Sequence, residues 1–225
     1  MTGTALATAA SVHPIRRRLT PAHLPDRLSG VSDRRHVALT FDDGPDRAST
    51  PRFLELLASH DVRATFFVLG RHAAEEPDTL RAIVREGHEL AVHGWTHRCV
   101  ALVRPVQLRA QLLLARDLVE DLTQAPVRWY RPPYGVLTPS AHRAAASVGL
   151  ETVLWSAWGR DWERRATPHR VLRTVLRDLR PGGTVLLHDT DRTSAHDSWR
   201  VTLAATDLLL RAQPAPFGPL REHWE

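Results

Sequence analysis

Short apolar runs alternate with helical patterns along most of this 225-residue chain. Six runs have the length and composition of buried strands: Val37–Phe41, Ala64–Leu69, Glu89–Val92, Val127–Tyr130, Thr152–Trp155 and Thr184–Leu187. Strands and helices that alternate in this way predict an α/β fold with a mostly parallel sheet. The pattern leaves open whether that sheet is an open one or a closed barrel.

The helical segments are marked by their periodicity and by their first residues. A helix face is predicted by apolar residues at three- and four-residue spacing: Leu108, Leu112, Ala115, Val119 and Leu122. The same spacing predicts a helix through residues 171–179, and another is expected from Asp197 to about Arg211. Helix starts are predicted at Thr50-Pro51, Thr138-Pro139 and Thr167-Pro168, since Thr caps free amides and Pro suits the first helical position.

The rhythm of strands and helices predicts a single domain over residues 36–212. Residues 1–35 are rich in Ala, Pro and Arg without a sustained period, and we interpret them as an irregular N-terminal lead-in. Residues 213–225 include a Pro-rich stretch from Pro214 to Pro219 and are expected to form a C-terminal tail.

Polar clusters follow the predicted strands at their carboxyl ends. They are Asp42-Asp43-Gly44-Pro45, His93-Gly94-Trp95-Thr96-His97, Arg131-Pro132-Pro133-Tyr134-Gly135, Asp161-Trp162 and His188-Asp189. In α/β folds the carboxyl ends of the strands meet at one mouth, where active sites lie. Because packing alone does not account for five such clusters, we expect them to form one functional site.

A metal site is the first interpretation of three of these residues. His93 and His97 are four residues apart, so a helical turn would direct both imidazoles to one side, a common zinc spacing. Such a pair alone is more often structural. With Asp43 it makes three ligands and leaves a fourth position for water, as in catalytic zinc sites. The neighbouring Asp42 is then available for proton transfer.

The remaining clusters each allow a structural and a functional interpretation. Arg131, on a stiff proline loop, either forms a surface ion pair or orients a carboxylate. His188 is either a satisfied buried histidine or a proton-transfer group, which Asp161 would support in its cationic form. Three tryptophans belong either to the core or to an apolar wall for a ligand: Trp155, Trp158 and Trp162.

The run Thr40-Phe41-Asp42-Asp43-Gly44-Pro45 resembles the first motif of the polysaccharide deacetylases, the NodB homology domain of carbohydrate esterase family four. The other clusters match the order and spacing of the remaining motifs of that family, between His36 and Asp189. The resemblance implies a deformed (β/α) barrel. It also implies a hydrolase that uses one divalent metal ion, usually zinc, and removes an acetyl group from an N-acetylated sugar or glycoconjugate by attack of metal-bound water on the amide carbon.

The resemblance also implies a role for each matching residue. Asp42 corresponds to the general base, and the metal ligands correspond to Asp43, His93 and His97. Arg131 corresponds to the residue that positions the base, and Tyr134 lies where a main-chain amide helps to hold the oxyanion. His188 corresponds to the general acid and Asp161 to its partner.

Two positions depart from the family pattern. Gly94 replaces the Ser or Thr that usually follows the first His, so that another group must brace this loop. Trp158 replaces the first Asp of the family's D-x-x-D-W motif. Both changes leave the chemistry in place and put the usual polymer substrate in question.

The distribution of charge argues against a nucleic-acid partner. The chain has no Lys, and its 30 Arg are scattered among 25 acidic residues, with a net charge of +5. No apolar run approaches the ~18 residues of a membrane span, so no stable membrane association is expected. The apolar stretch Ala5–Val12 precedes Arg16–Arg18, the reverse of a signal peptide, and predicts a cytoplasmic protein.

Two alternatives to a sugar deacetylase stay open at this point. The same hydrolytic site would serve an amidohydrolase that acts on a non-sugar small amide in specialised metabolism. A non-catalytic family member that binds carbohydrate or a partner is the other alternative. Such a protein would be expected to have lost a ligand, the base or the acid, and this sequence retains all of them.

Overall fold

A computed structural model of the chain describes residues 26–212 and 215–224. The expectations for residues 1–25, and for 213, 214 and 225 of the tail, lie outside this part of the chain. Within it, the strands are β1 Val37–Asp42, β2 Thr65–Val68, β3 Glu89–Val92, β4 Trp129–Tyr130, β5 Glu151–Thr152, β6 Ala157–Trp158, β7 Thr184–His188 and β8 Phe217–Gly218.

Helices connect most of these strands. They are α1 Asp26–Ser29, α2 Thr50–Ser59, α3 Gly70–Glu75, α4 Pro77–Arg85, α5 Pro105–Thr123, α6 Pro139–Ala146, α7 Pro168–Asp178 and α8 Ser198–Ala212. Short 3₁₀ turns cover Val100–Leu102, Pro133–Gly135 and Leu220–His223. No helix among the described residues has the length and apolar character needed to cross a membrane.

The strands form one sheet in the order β5-β4-β3-β2-β1-β7-β6, and every pairing in it is parallel. β8 pairs in parallel with the first two residues of β1. The sheet curls into a deformed (β/α) barrel, which confirms the expected fold class. The chain around the end of α1 contacts the segment after β5 and the start of β7, because the Leu28 carbonyl accepts a bond from Leu154 N–H and the Gly30 carbonyl accepts one from Thr184 Oγ1.

The core lies between β1 and the surrounding helices. All six residues of β1 are buried, and the ring of Phe41 lies 5.1 Å from that of Phe53 and 5.2 Å from that of Phe66. The predicted inner face of α5 is confirmed, since Leu108, Leu112, Ala115 and Val119 are buried. Burial of this size is the main stabilising contribution to a domain of this length.

Several local predictions are wrong. Thr50 does not cap α2: Ser49 is at the N-cap without a side-chain cap bond, and the Thr50 hydroxyl donates to Asp189 instead. Thr138 and Thr167 do cap their helices. The fifth strand is shorter and begins earlier than predicted. The elements that sequence patterns missed are α1, which lies in the expected irregular lead-in, and α3, α4, β6 and β8.

Candidate active site

β1 ends at the mouth of the barrel with a buried ion pair. Asp42 Oδ1 accepts a bond of 2.7 Å from Arg131, whose side chain is fully buried. The same guanidinium donates to Thr40 Oγ1 and to the Leu154 carbonyl, and it lies over the Phe67 ring at 3.9 Å. Burial lowers the pKa of Arg131, and Asp42 opposes this shift. Asp42 is therefore held in one orientation, with Oδ2 facing the site 3.8 Å from His93 Nε2.

Asp43 has an unusual backbone conformation, so its side chain points in a different direction from that of Asp42. Its φ is 80°, a left-handed conformation that is costly for a non-glycine residue. Its N–H donates to the Phe67 carbonyl, and its carbonyl accepts a 2.8 Å bond from His72 Nδ1. Burial alone would raise the pKa of Asp43, but the imidazoles of three histidines and a hydroxyl outweigh it and hold the pKa below its usual value.

His93 and His97 approach Asp43 from the loop after β3. This loop is not helical, so the predicted helical turn is wrong, yet the two rings still lie 5.4 Å apart. His93 Nδ1 donates to the Arg131 carbonyl, which leaves the lone pair of Nε2 facing Asp43. Burial lowers the pKa of His97 to about 4, against the opposing effect of the Asp43 charge.

The loop is braced by the main chain at the start of α3. Gly70 N–H donates to the Gly94 carbonyl and Arg71 N–H to the Trp95 carbonyl. Gly94 has a φ of 106°, a conformation in which the family's usual Ser or Thr would be strained. These two main-chain amides therefore hold the loop in place of the Ser or Thr side chain, a contact that the sequence alone did not predict.

Asp43, His93 and His97 fit a divalent metal. Asp43 Oδ1 lies 3.3 Å from His93 Nε2 and 3.5 Å from His97 Nε2. Two zinc bonds of ~2.0–2.2 Å at a tetrahedral angle place their donor atoms about 3.3–3.5 Å apart. Asp43 Oδ1 is buried without a hydrogen-bond partner among the described residues, and the Nδ1 bond of His93 to a carbonyl is typical of histidine ligands.

His188 lies at the end of β7 and is held by Asp161. The Asp161 carboxylate accepts the His188 main-chain N–H at 2.8 Å and faces Nδ1 at 3.1 Å, while Thr202 Oγ1 donates to it at 2.8 Å. Burial alone would lower the pKa of His188, but the charges of Asp161, Asp43 and Asp42 raise it to about 10. Nε2 of a cationic His188 points toward Asp43 Oδ2, 3.8 Å away.

Aromatic residues line both sides of the mouth. Tyr134, at a φ of 62°, packs its ring on His97 and donates its hydroxyl to the His97 carbonyl at 3.4 Å. On the other side the Trp162 ring meets His188 edge-on at 5.3 Å, and Trp158 lies 5.2 Å beyond Trp162. The structure therefore brings together the eight residues to which the family resemblance assigns a role.

The sequence analysis assigned no role to three residues at this site. Thr193 Oγ1 donates to Asp43 Oδ2, and His72 holds the Asp43 carbonyl. Asp189 is fully buried against Gly44, where a Cβ would lie only 2.5 Å from its carboxylate. Burial raises the pKa of Asp189 to about 7. Asp189 was visible as the neighbour of His188, whereas no sequence pattern singles out Thr193 or His72.

The fold and the site define an α/β protein with a candidate metal centre at the mouth of a deformed barrel, and comparison with known proteins identifies the family. The polysaccharide deacetylase family model matches residues 29–153. The chain belongs to this family.

Relatives of known name support the same assignment. The chain is 42% identical over 160 residues to a chitooligosaccharide deacetylase of Bradyrhizobium sp. (strain ANU 289), an alignment that covers 71% of this chain and 73% of the relative. It is 34% identical over 163 residues to a peptidoglycan-N-acetylglucosamine deacetylase of Bacillus cereus, covering 72% of this chain and 59% of the relative.

Solved structures show the same fold. The Bc1960 peptidoglycan N-acetylglucosamine deacetylase superposes with a TM-score of 0.78 at 30% identity, over 87% of this chain and 91% of that one. BA3943 from Bacillus anthracis, described as a CE4 family pseudoenzyme, superposes with a TM-score of 0.77 at 30% identity, over 86% and 66%. The family thus includes a member described as a pseudoenzyme.

Proposed function

We propose that this protein is a metal-dependent hydrolase that removes the acetyl group from an N-acetylated sugar or glycoconjugate. One observation carries the proposal: Asp43 lies within 3.5 Å of the Nε2 atoms of His93 and His97 and 3.8 Å from that of His188. A candidate base, ligand set and acid therefore share one mouth. The names of the relatives, which include chitooligosaccharide and peptidoglycan deacetylases, support the substrate class.

Asp42 is the proposed general base. Arg131 occupies its Oδ1, so Oδ2 is the oxygen available to take a proton from the attacking water. The ion pair with Arg131 keeps that carboxylate in place within a buried setting. As Asp42 takes this proton, the water oxygen forms its bond to the acetyl carbon.

His188 is the proposed general acid. Its Nδ1 is held by Asp161, so Nε2 carries the proton into the mouth. This proton goes to the sugar nitrogen as the bond between carbon and nitrogen breaks, which yields acetate and a free amine. The raised pKa of about 10 keeps His188 protonated before the reaction, as an acid requires.

Asp43, His93 and His97 would hold the metal ion, and zinc suits this donor set. When bound, such an ion supplies positive charge that polarises the acetyl carbonyl and acidifies water. The main-chain N–H of Tyr134 is the proposed donor to the acetyl oxygen as negative charge develops there.

We propose in addition that the substrate is short and soluble. Trp158 adds an aromatic surface where the family pattern has Asp, and such a surface suits stacking on a sugar face or an aglycone. The cytoplasmic location stays a prediction, which cell fractionation tests. Activity only on intact peptidoglycan would overturn the proposal of a short substrate.

Acetate release from N-acetylglucosamine oligomers tests the function directly. Metal-loaded protein should release acetate, chelation should stop it, and re-added zinc should restore it. Asp42→Asn should abolish turnover and keep the metal, whereas Asp43→Asn should lose the metal. If only non-sugar amides are hydrolysed, the amidohydrolase alternative holds; if nothing is hydrolysed by the loaded protein, the non-catalytic one does.

A further inference from the structure

The two oxygens of the Asp43 carboxylate have different surroundings. Oδ1 faces the Nε2 atoms of His93 and His97 and has no hydrogen-bond partner among the described residues. Oδ2 accepts a hydrogen bond from Thr193 Oγ1, which is 150 residues away in the chain. The carboxylate is thus held in the one rotation that presents Oδ1 to both imidazoles.

The loop that carries Thr193 is itself anchored on both sides of the mouth. Its neighbour Arg192 contacts Asp46 at 3.4 Å and Glu75 at 3.0 Å, which ties the loop to the segment after β1 and to α3. Further along, Ala195 N–H donates to the Trp162 carbonyl at 3.3 Å. The Thr193 hydroxyl is therefore presented from a fixed position.

The Thr193 hydroxyl affects the proposed acid His188 as well as the proposed ligand Asp43. His188 Nε2 lies 3.8 Å from the same Oδ2 that Thr193 occupies. A carboxylate released from Thr193 is free to turn about its Cβ–Cγ bond toward this imidazole. Such a turn would withdraw Oδ1 from His93 and His97.

We propose that Thr193 is a positioning residue for the metal: its hydroxyl holds Oδ2 so that Asp43 binds the ion through Oδ1. The inference rests on the proposed function only in that Asp43, His93 and His97 are taken as the ligands. Hydrogen bonds to ligating carboxylates typically contribute 10–100-fold to metal affinity. Thr193 would thus hold a metal ligand in place although it lies outside the motifs of the family resemblance.

The test is the zinc affinity of metal-free protein, measured by competition with a chromophoric chelator and without any sugar. Thr193→Val keeps the shape and removes the hydroxyl, and should weaken zinc binding by about 10–100-fold. Thr193→Ser keeps the hydroxyl and should bind zinc nearly as the original protein does. Ser194→Ala, in the same loop, is the matched control and should leave the affinity unchanged.

Thermal unfolding of the metal-free variants separates positioning from a structural role, since Thr193→Val should unfold at nearly the temperature of the original protein. Should Thr193→Val be poorly folded, Thr193→Ala replaces it with the same expectation. Unchanged affinity in Thr193→Val, or an equal loss in Thr193→Ser, overturns the inference. If the protein binds zinc with normal affinity but deacetylates no sugar, the proposed function is contradicted. The conclusion about Thr193 and zinc affinity is not affected by that result.

Discussion

Asp161 holds His188 by two atoms at once, accepting its main-chain N–H at 2.8 Å and facing Nδ1 at 3.1 Å. The first contact fixes the position of the residue at the end of β7, and the second fixes which ring nitrogen faces the mouth. Burial lowers the pKa of His188, but this carboxylate, with smaller contributions from Asp43 and Asp42, raises it to about 10. One buried side chain thus controls both the geometry and the protonation of the proposed acid.

We expect Asp161→Asn to move the basic limb of the profile of kcat/KM against pH to lower pH. The sign follows because the carboxylate stabilises the cation, and His188 without it loses its proton at lower pH. Thr202→Val is the matched control: it removes one hydrogen bond to Asp161 and leaves the charge. Its basic limb should move less. If the basic limb of Asp161→Asn does not move, the charge of Asp161 does not control the ionisation that sets this limb.

Removal of the buried Arg131 should destabilise the fold far more than removal of an exposed arginine. Arg131→Met leaves Asp42, which is 2% exposed, without its partner, a loss that typically costs about 3–5 kcal/mol. Arg52→Met removes an exposed pair with Glu55 and should cost about 0–1 kcal/mol. Urea unfolding of metal-free protein measures both. Equal effects would contradict a structural role for the buried pair.

The parts of the site that the sequence predicts are those carried by contiguous residues. Asp42 ends one largely apolar strand and Asp43 follows it, and His188 ends another such strand, so the parallel sheet brings them to one edge. The two-residue strands β5 and β6 are too short for periodicity to place them. Gly94, at a φ of 106°, keeps His93 and His97 off a helix, although their spacing suited one.

Contacts between distant residues were beyond sequence reasoning. Thr193 meets Asp43 across 150 residues, and nothing in its local sequence marks it. Thr50 likewise has the local sequence of a helix cap, but its hydroxyl instead bonds Asp189, 139 residues away. Here the Thr50 hydroxyl makes a tertiary contact instead of a helix cap, because the buried Asp189 carboxylate needs a hydrogen-bond donor.

Asp189→Asn should stabilise the metal-free protein increasingly as the pH rises. Burial raises the pKa of Asp189 from 3.8 to about 7, so the unfolded chain releases this proton at lower pH than the folded one. Ionisation of Asp189 by itself should therefore remove stability from the original protein between about pH 4 and pH 7, while Asn, which does not ionise, avoids this loss. Denaturant unfolding of both proteins across this range, with a chelator present, measures the difference. A difference that is constant with pH would contradict the raised pKa.

Substitution of Trp158 should change which substrates are bound rather than the chemical step. Its ring lies 5.2 Å from Trp162, which in turn meets the proposed acid His188 at 5.3 Å. In the proposed mechanism His188 donates to the sugar nitrogen, so the sugar that bears this nitrogen would lie beside His188, with Trp158 one ring farther out. A stacked sugar unit or aglycone at that distance would lose an aromatic contact, of about 0.5–1.5 kcal/mol.

Trp158→Ala should therefore raise KM for N-acetylglucosamine oligomers by about 2–10-fold and leave kcat nearly unchanged. Trp158→Asp, which restores the residue of the family motif, should also narrow the preference for oligomers over peptidoglycan. Trp199→Ala is the control, since Trp199 lies on α8 and stacks with Arg200. Initial rates on oligomers of increasing length provide the measurement. A fall in kcat with KM unchanged would place Trp158 in support of His188, because a ring that only binds substrate acts on KM.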